Sequence, residues 1–190
     1  MKPERAFYEQ DPLVVARELL GMVLVHRVDG AERAGRIVET EAYRGEEDLA
    51  CHASAGRTRR NAPMYGPAGH AYVYFIYGMH EMFNVVTWPE GMPSAVLVRA
   101  LEPVAGVSGT HGPGRLTRAM GIDRSCNGED LRGDRLFILV GQRVGDDAVE
   151  QTPRIGVDYA GEWAALPWRF CVRGSAHVSR RAGTSVRGPS

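Results

Sequence analysis

The sequence has few cysteines, almost no lysine and no long apolar run, and each shortage excludes a class of protein. No window approaches about 18 uninterrupted apolar residues, so we expect no membrane-spanning helix. The three cysteines, Cys51, Cys126 and Cys171, stand far apart, which argues against a disulfide framework and favours a reducing compartment. The first residues lack the apolar core of a secretion signal. We therefore expect a cytoplasmic protein without membrane attachment.

Positive charge is carried almost wholly by arginine, because Lys2 is the one lysine among 23 basic residues. A nucleotide-composition bias is the simpler explanation of this count, so the distribution of charge is more informative. The formal net charge is zero, yet residues 51–118 and 163–190 are basic while 1–50 and 119–162 are acidic. A basic face of the folded chain could therefore meet a polyanion, whose phosphates suit the planar guanidinium group.

The length of 190 residues fits one domain spanning 1–190, of which 177–190 is expected to be a flexible tail. Asp11 and Pro12 predict the start of a helix that ends at Gly21. Asp29-Gly30 marks a turn, which residues 31–33 are expected to lengthen beyond a tight two-residue turn. Segments rich in β-branched and aromatic residues predict strands at 22–28, 36–43, 70–77, 82–88, 94–101, 136–140, 154–159 and 168–172, with a short helix at 116–120. The pattern predicts an α+β fold, with an antiparallel, strand-rich core and a few helices packed around it.

The strand predicted at 36–43 is the most informative, because Glu39, Glu41 and Tyr43 alternate and share a face with Ile37. Two carboxylates and a phenol beside a long polar loop would suit an active-site floor, since a carboxylate can deprotonate water or stabilise a developing cation. For an isolated strand, a solvated face explains such glutamates more simply. Glycoside hydrolysis by Glu39 and Glu41 is a weaker hypothesis, because carboxylates on one strand rarely flank a bond from opposite sides.

The strand predicted at 70–77 is aromatic and leads into a turn at Gly78. Tyr72 and Tyr74 share one face of it, and Tyr77 stands at the turn. Such rings could stack on nucleic-acid bases or wedge between base pairs, although core packing is the usual explanation of an aromatic strand. The polar segment 44–69 before it is long for an ordered loop, which is typical of loops that bind something.

Motifs for metals and nucleotide cofactors are missing from the sequence. Cys51-His52 has no second Cys/His pair at zinc-ligand spacing. The run 112–115 lacks the lysine and hydroxyl residue of a phosphate loop. We therefore predict neither a metal ion nor a cofactor.

Together, these segments resemble the alkyladenine (3-methyladenine, methylpurine) DNA glycosylases. The matching runs are GRIVETEAY at 35–43, YVY at 72–74, IYGM at 76–79, VRALEP at 98–103, RIGV at 154–157, AGEW at 160–163 and VRGS at 172–175. Glu47, Asp48, His52, Asn84 and Phe170 fall between them in the family's order. The resemblance covers nearly the whole chain, and the combination is specific although each run alone is weak.

The resemblance implies a hydrolase of base-excision repair that flips alkylated or deaminated purines out of duplex DNA and cleaves the N-glycosidic bond, leaving an abasic site. It implies that Glu41 is the general base that activates water and that Arg99 helps to hold this water, as does the carbonyl of Ile155. Asn84 is implied to discriminate against the guanine amino group, whereas Glu39 has no implied catalytic role. The implied base pocket comprises Tyr43, His52, Tyr74, Asn84 and Ile155, and the implied DNA-intercalating residues are Tyr77 and Met79. No lysine lies in these motifs to form a Schiff base, so no lyase activity is expected.

The expected partner is double-stranded DNA that contains a damaged purine, bound by a monomer without an obligate protein partner, in the cytoplasm or, in a bacterium, at the nucleoid. Candidates for phosphate contacts are Arg57, Arg59, Arg60 and Arg173. The segment 104–112 is shorter than in longer family members, which affects the expected contacts with flanking DNA. A non-catalytic module that binds damaged DNA with the same pocket is the alternative, and Glu41 discriminates, because a pure binder does not need this carboxylate.

Overall fold

The computed structural model describes residues 1–179, in which eight strands join one antiparallel sheet and three short α-helices accompany it. The helices are α1 (Arg5–Tyr8), α2 (Pro12–Glu18) and α3 (Pro113–Met120). The strands are β1 (Val23–Val28), β2 (Ala31–Arg44), β3 (Ala71–Ile76), β4 (His80–Val86), β5 (Ser94–Ala105), β6 (Leu136–Leu139), β7 (Val149–Thr152) and β8 (Arg169–Val172). The predicted α+β class is confirmed. No helix within residues 1–179 is long and apolar enough to span a membrane.

Strand β2 is the centre of the sheet. The strand order is β3-β4-β5-β2-β1-β6, and β8 pairs with the segment Glu39–Glu41 of β2 and with β7. The long β2–β5 pairing shifts register near its middle, where neither Val38 nor Arg99 has a partner. Such bulges re-aim side chains, and they are common next to functional sites.

The bulge corrects one prediction from strict alternation. Ile37 does not share the face of Glu39 and Glu41, because the register shifts between Ile37 and Glu39. It is instead fully buried in the main core together with Ala42. The carboxylate face therefore begins at Glu39.

The predictions from local signals at α2 and at the β1–β2 hairpin have mixed outcomes. Asp11 caps α2 as predicted, since its Oδ1 accepts the Leu13 N–H at 2.9 Å, but the helix ends at Glu18, before the predicted end. The predicted lengthening of the turn after β1 is wrong, because Val28 pairs with Ala31 across a two-residue turn. Asp29 and Gly30 have φ of 53° and 72°, the left-handed conformations that a tight hairpin turn requires.

The predicted strand at 154–159 is also wrong. The strand lies earlier, at β7, and a 3₁₀ helix spans Asp158–Ala165. Pro153 lacks the N–H that a ladder needs, so β7 ends at Thr152, and Gly156, with a φ of 76°, prevents a strand from resuming there.

The two largest of the four apolar clusters within residues 1–179 pack against the sheet. The main core lies between the sheet and helices α2 and α3, and includes Leu19, Ile37, Phe83, Leu101 and Met120. A smaller cluster around Met64, Tyr72 and Val86 supports the loop 45–70. Of the predicted tail, 180–190 lie outside the described residues, whereas Ser179 is buried against Glu39.

Candidate active site

A cavity of about 240 Å³ opens beside the middle of β2 and collects the side chains that were expected to form a base pocket. Its lining includes Tyr43, His52, Tyr74, Asn84, Arg99 and Ile155. Glu41 is fully buried directly behind three of these residues, Tyr43, Arg99 and Ile155, which all bind it. Strands β2, β3, β4 and β5 thus contribute to one site together with the loops after β2 and β7.

Three donors orient the Glu41 carboxylate. Its Oε2 accepts the Tyr43 hydroxyl at 2.8 Å and Nη1 of Arg99 at 3.3 Å, and its Oε1 accepts the Ile155 N–H at 2.8 Å. Burial, together with the neighbouring Glu41, raises the pKa of Tyr43 well above its usual value, so the phenol stays protonated and donates. Burial alone would lower the pKa of Arg99, but Glu41 and Glu39 raise it, so the guanidinium stays charged.

His52 lines the cavity from the loop after β2. Its Nδ1 is 3.0 Å from the Tyr72 hydroxyl, and its ring lies edge-to-face on Tyr74 with centroids 4.5 Å apart. Burial and then Arg60 lower the pKa of His52 from 6.5, which favours a neutral imidazole at pH 7. Asn61, a residue that sequence reasoning did not single out, binds the His52 carbonyl through Nδ2 at 2.9 Å and so fixes the loop.

A buried ion pair supports the other side of the cavity. Arg154 binds both carboxylate oxygens of Asp48, at 2.6 and 2.9 Å, and its guanidinium lies 4.8 Å from the Tyr43 ring centroid. The pair holds the segment that presents the Ile155 N–H to Glu41. Arg154 falls in the matching run RIGV and Asp48 falls between the runs, but sequence reasoning gave neither residue a role, because they are 106 positions apart.

Asn84 and the β3–β4 hairpin form the opposite wall. Asn84 pairs with Tyr72 across the two strands, is 3% exposed, and donates through Nδ2 to the Tyr72 carbonyl at 3.1 Å. At the hairpin tip, Tyr77 lines the cavity yet is 80% exposed, and its φ of 53° is unusual for a bulky residue. Met79 is also exposed, but it is not among the residues that line the cavity.

Three of the four candidate phosphate-binding arginines lie in the loop between β2 and β3, and the fourth lies at the end of β8. Arg60 is exposed beside the cavity, with its guanidinium 5.4 Å from the Tyr74 ring centroid, and Arg57 lies at the same distance from the Tyr65 ring. Arg59 is exposed in the same loop. Arg173 is exposed at the end of β8, and Nε donates to the Asp147 carbonyl at 3.3 Å, outside the cavity lining.

The site residues do not include a metal cluster or a reactive thiol. Within residues 1–179, no group of three or more His, Cys, Asp or Glu side chains could hold a metal ion. Burial raises the pKa of Cys51 to about 12, so its thiol is protonated at neutral pH. The groups at the cavity include the buried Glu41 carboxylate, the Arg99 guanidinium and the aromatic rings of the lining.

Comparison with known proteins identifies the family that the chain resembles. The family model described as methylpurine-DNA glycosylase matches residues 6–176. A protein of Myxococcus xanthus (strain DK1622), named "Putative 3-methyladenine DNA glycosylase", is 55% identical over 188 residues, or 97% of each chain. Two further similar proteins carry the same name. The one from Anaeromyxobacter dehalogenans (strain 2CP-C) is 57% identical over 96% of this chain and 88% of the relative. The one from Legionella pneumophila (strain Corby) is 49% identical over 94% of this chain and 98% of the relative.

Proposed function

The chain belongs to the methylpurine-DNA glycosylase family, and from this membership we propose that it is a monofunctional DNA glycosylase of base-excision repair. Its substrate would be an alkylated or deaminated purine in duplex DNA, and its product an abasic site. The observation that carries the proposal is Glu41, a buried carboxylate with three fixed donors behind a cavity lined by aromatic rings. One copy of the chain supplies all of these groups.

Base flipping explains the aromatic lining. A base within the stack cannot be attacked, so the enzyme must extrude it and offset the lost stacking with its own rings. Tyr43, Tyr74 and His52 would hold the base, while Tyr77, with Met79 beside it, fills the vacated place in the duplex. Purines alkylated at N3 or N7 carry positive charge, which favours their binding between electron-rich rings. Asn84 would exclude the 2-amino group of guanine, because its anchored carboxamide cannot move aside.

The proposed chemistry is hydrolysis. The bond between sugar C1′ and the base nitrogen breaks, its electron pair leaves with the base, and positive charge develops on the sugar. A water held by Arg99 and the Ile155 carbonyl attacks C1′, and its proton passes to Glu41. A cationic alkylated base leaves as a neutral molecule, whereas a neutral base such as hypoxanthine must receive a proton. Lys2 binds Asp134 and is not among the residues that line the cavity, so water rather than an amine is the proposed nucleophile.

The test is single-turnover excision from duplex DNA that carries one hypoxanthine, ethenoadenine or 7-methylguanine, with wild-type protein and Glu41→Gln. We expect abasic DNA from the wild type, with strand breaks only after alkali. Glu41→Gln should bind the lesion but excise about 10³-fold more slowly, within the range that general bases contribute. Glu102→Gln, which changes a half-exposed carboxylate on β5, is the matched control and should excise normally.

Two results would contradict the proposal. Equal excision by the wild type and Glu41→Gln would remove Glu41 from the chemistry. Lesion-dependent binding without excision of any of the three bases would instead identify a damage-binding module.

A further inference from the structure

Glu39 has no role in the reaction described so far, yet its carboxylate accepts four hydrogen bonds beside the site. It is fully buried and accepts Nε of Arg99 at 3.0 Å and Nε of Arg169 at 2.7 Å. It also accepts the Ser179 N–H at 2.6 Å and the Ser179 hydroxyl at 2.8 Å. These donors occupy both oxygens, so Glu39 cannot itself act as a base or nucleophile toward a substrate.

The Arg99 guanidinium joins the two carboxylates. Its Nε donates to Glu39 and its Nη1 donates to Glu41. Arg99 lies where the pairing of β5 with β2 is interrupted by the bulge. A buried guanidinium without Glu39 would have Glu41 as its remaining carboxylate partner. It would then be free to pair with both oxygens of Glu41, because a guanidinium fork matches a carboxylate. Such a pairing would occupy the lone pairs that must accept the proton of water.

The charges of this group also balance. Glu39 and Glu41 are countered by Arg99 and Arg169, and all four side chains are 10% exposed or less. The adjacent Arg154–Asp48 pair is neutral by itself. A buried charge without a partner is costly, so removal of one member should displace the others.

We propose, resting on the function proposed above, that Glu39 is a positioning residue, which holds Arg99 by Nε so that only Nη1 reaches Glu41, and that Ser179 anchors the segment after β8 to this carboxylate. Glu39 thus keeps Glu41 available as the proton acceptor. It does so without contact with the base or the water.

The experiment compares Glu39→Gln, Arg169→Gln and the double variant in lesion binding and single-turnover excision, after thermal unfolding has shown that each is folded. Glu39→Gln should bind the lesion duplex as wild type does but excise about 100-fold more slowly, as expected for a small misplacement in an active site. The double variant restores the charge balance and lets the two carboxamides bind each other. It should therefore excise at least tenfold faster than Glu39→Gln, the non-additivity expected of two residues in one hydrogen-bond network. Slower excision with unchanged lesion binding is the readout that a merely structural role would not produce.

Two results would overturn the inference. One is wild-type excision by folded Glu39→Gln, and the other is a double variant as slow as the product of the single losses. If Glu39→Gln does not fold, Ser179→Ala tests the inference instead, because it removes one hydrogen-bond donor to Glu39 and leaves the charges of Glu39, Arg99 and Arg169 unchanged. It should slow excision about tenfold, as loss of a hydrogen bond to a charged group does, and wild-type excision by this variant would equally overturn the inference. An inactive wild type would refute the proposed function instead.

Discussion

At the scale of single residues, Tyr43 has two contacts that matter for the proposed reaction. Its ring lines the cavity, and its hydroxyl donates to Glu41 at 2.8 Å. Because burial and Glu41 raise its pKa well above 10, the phenol keeps its proton, and thus its donor, across the pH range of any practical assay. One substitution that removes the hydroxyl and keeps the ring can therefore separate their two contributions.

We predict that Tyr43→Phe retains lesion binding but excises about tenfold more slowly, since it removes one donor from a charged acceptor and keeps the ring. The loss should be the same from pH 7 to about pH 9.5, because Tyr43 does not ionise in this range. Single-turnover rates across that range would measure it. Tyr65→Phe is the matched control, since its hydroxyl binds Glu46 at 2.7 Å outside the cavity lining. An excision loss in Tyr65→Phe as large as in Tyr43→Phe would contradict the specific role.

At the scale of elements, the β3–β4 hairpin presents Tyr77 in a strained conformation. Its positive φ is unfavourable for tyrosine but tolerated by asparagine, so Tyr77→Asn should be at least as stable as the wild type. We predict that Tyr77→Asn excises the lesion from duplex DNA about 10- to 100-fold more slowly than the wild type, because no ring fills the gap left by the flipped base. Excision from a single strand with the same lesion should be unaffected. An equal loss on both substrates would show that Tyr77 acts within the base pocket rather than in the duplex.

Elements defined by local signals could be predicted from the sequence, and those defined by pairing could not. The cap at Asp11 and the β3–β4 hairpin depend on neighbouring residues, and the structure contains both. The shift between Ile37 and Glu39 depends on a partner strand about 60 positions away, so strict alternation placed Ile37 on the wrong face. A bulge that re-aims Arg99 cannot be read from either strand alone.

The same distinction applies to the candidate site. Glu41, Tyr43 and Arg99 were predicted because the motif GRIVETEAY and the run VRALEP carry a family resemblance, and the structure brings them together. The contacts of Glu39 with Ser179 join positions 140 apart, and the serine lies in a segment expected to be a flexible tail. Nothing in the local sequence of either residue indicates such a contact.

At the scale of the whole molecule, a net charge of zero does not prevent binding to DNA, because some arginines are paired with carboxylates and others are not. Arginines away from the cavity are often paired with acids, as Arg27 is with Glu32 and Arg143 is with Glu18. Among the ion pairs within residues 1–179, none involves Arg57, Arg59 or Arg60. The loop beside the cavity therefore presents guanidinium groups that carboxylates do not neutralise.

We predict that this loop contributes most of the salt dependence of DNA binding. Each phosphate contact adds about 0.9 to the slope of log affinity against log salt concentration, so Arg57→Ala and Arg60→Ala should each lower the slope by roughly that amount. Titrations of duplex DNA at several salt concentrations would measure it, with Arg143→Ala as a control that leaves the slope unchanged. Arg173→Ala is the decisive fourth arm, because Arg173 already donates to the Asp147 carbonyl away from the cavity. If Arg173→Ala lowers the slope while Arg57→Ala and Arg60→Ala do not, the DNA must cross the end of β8 rather than the loop beside the cavity, and the interface proposed here would be wrong.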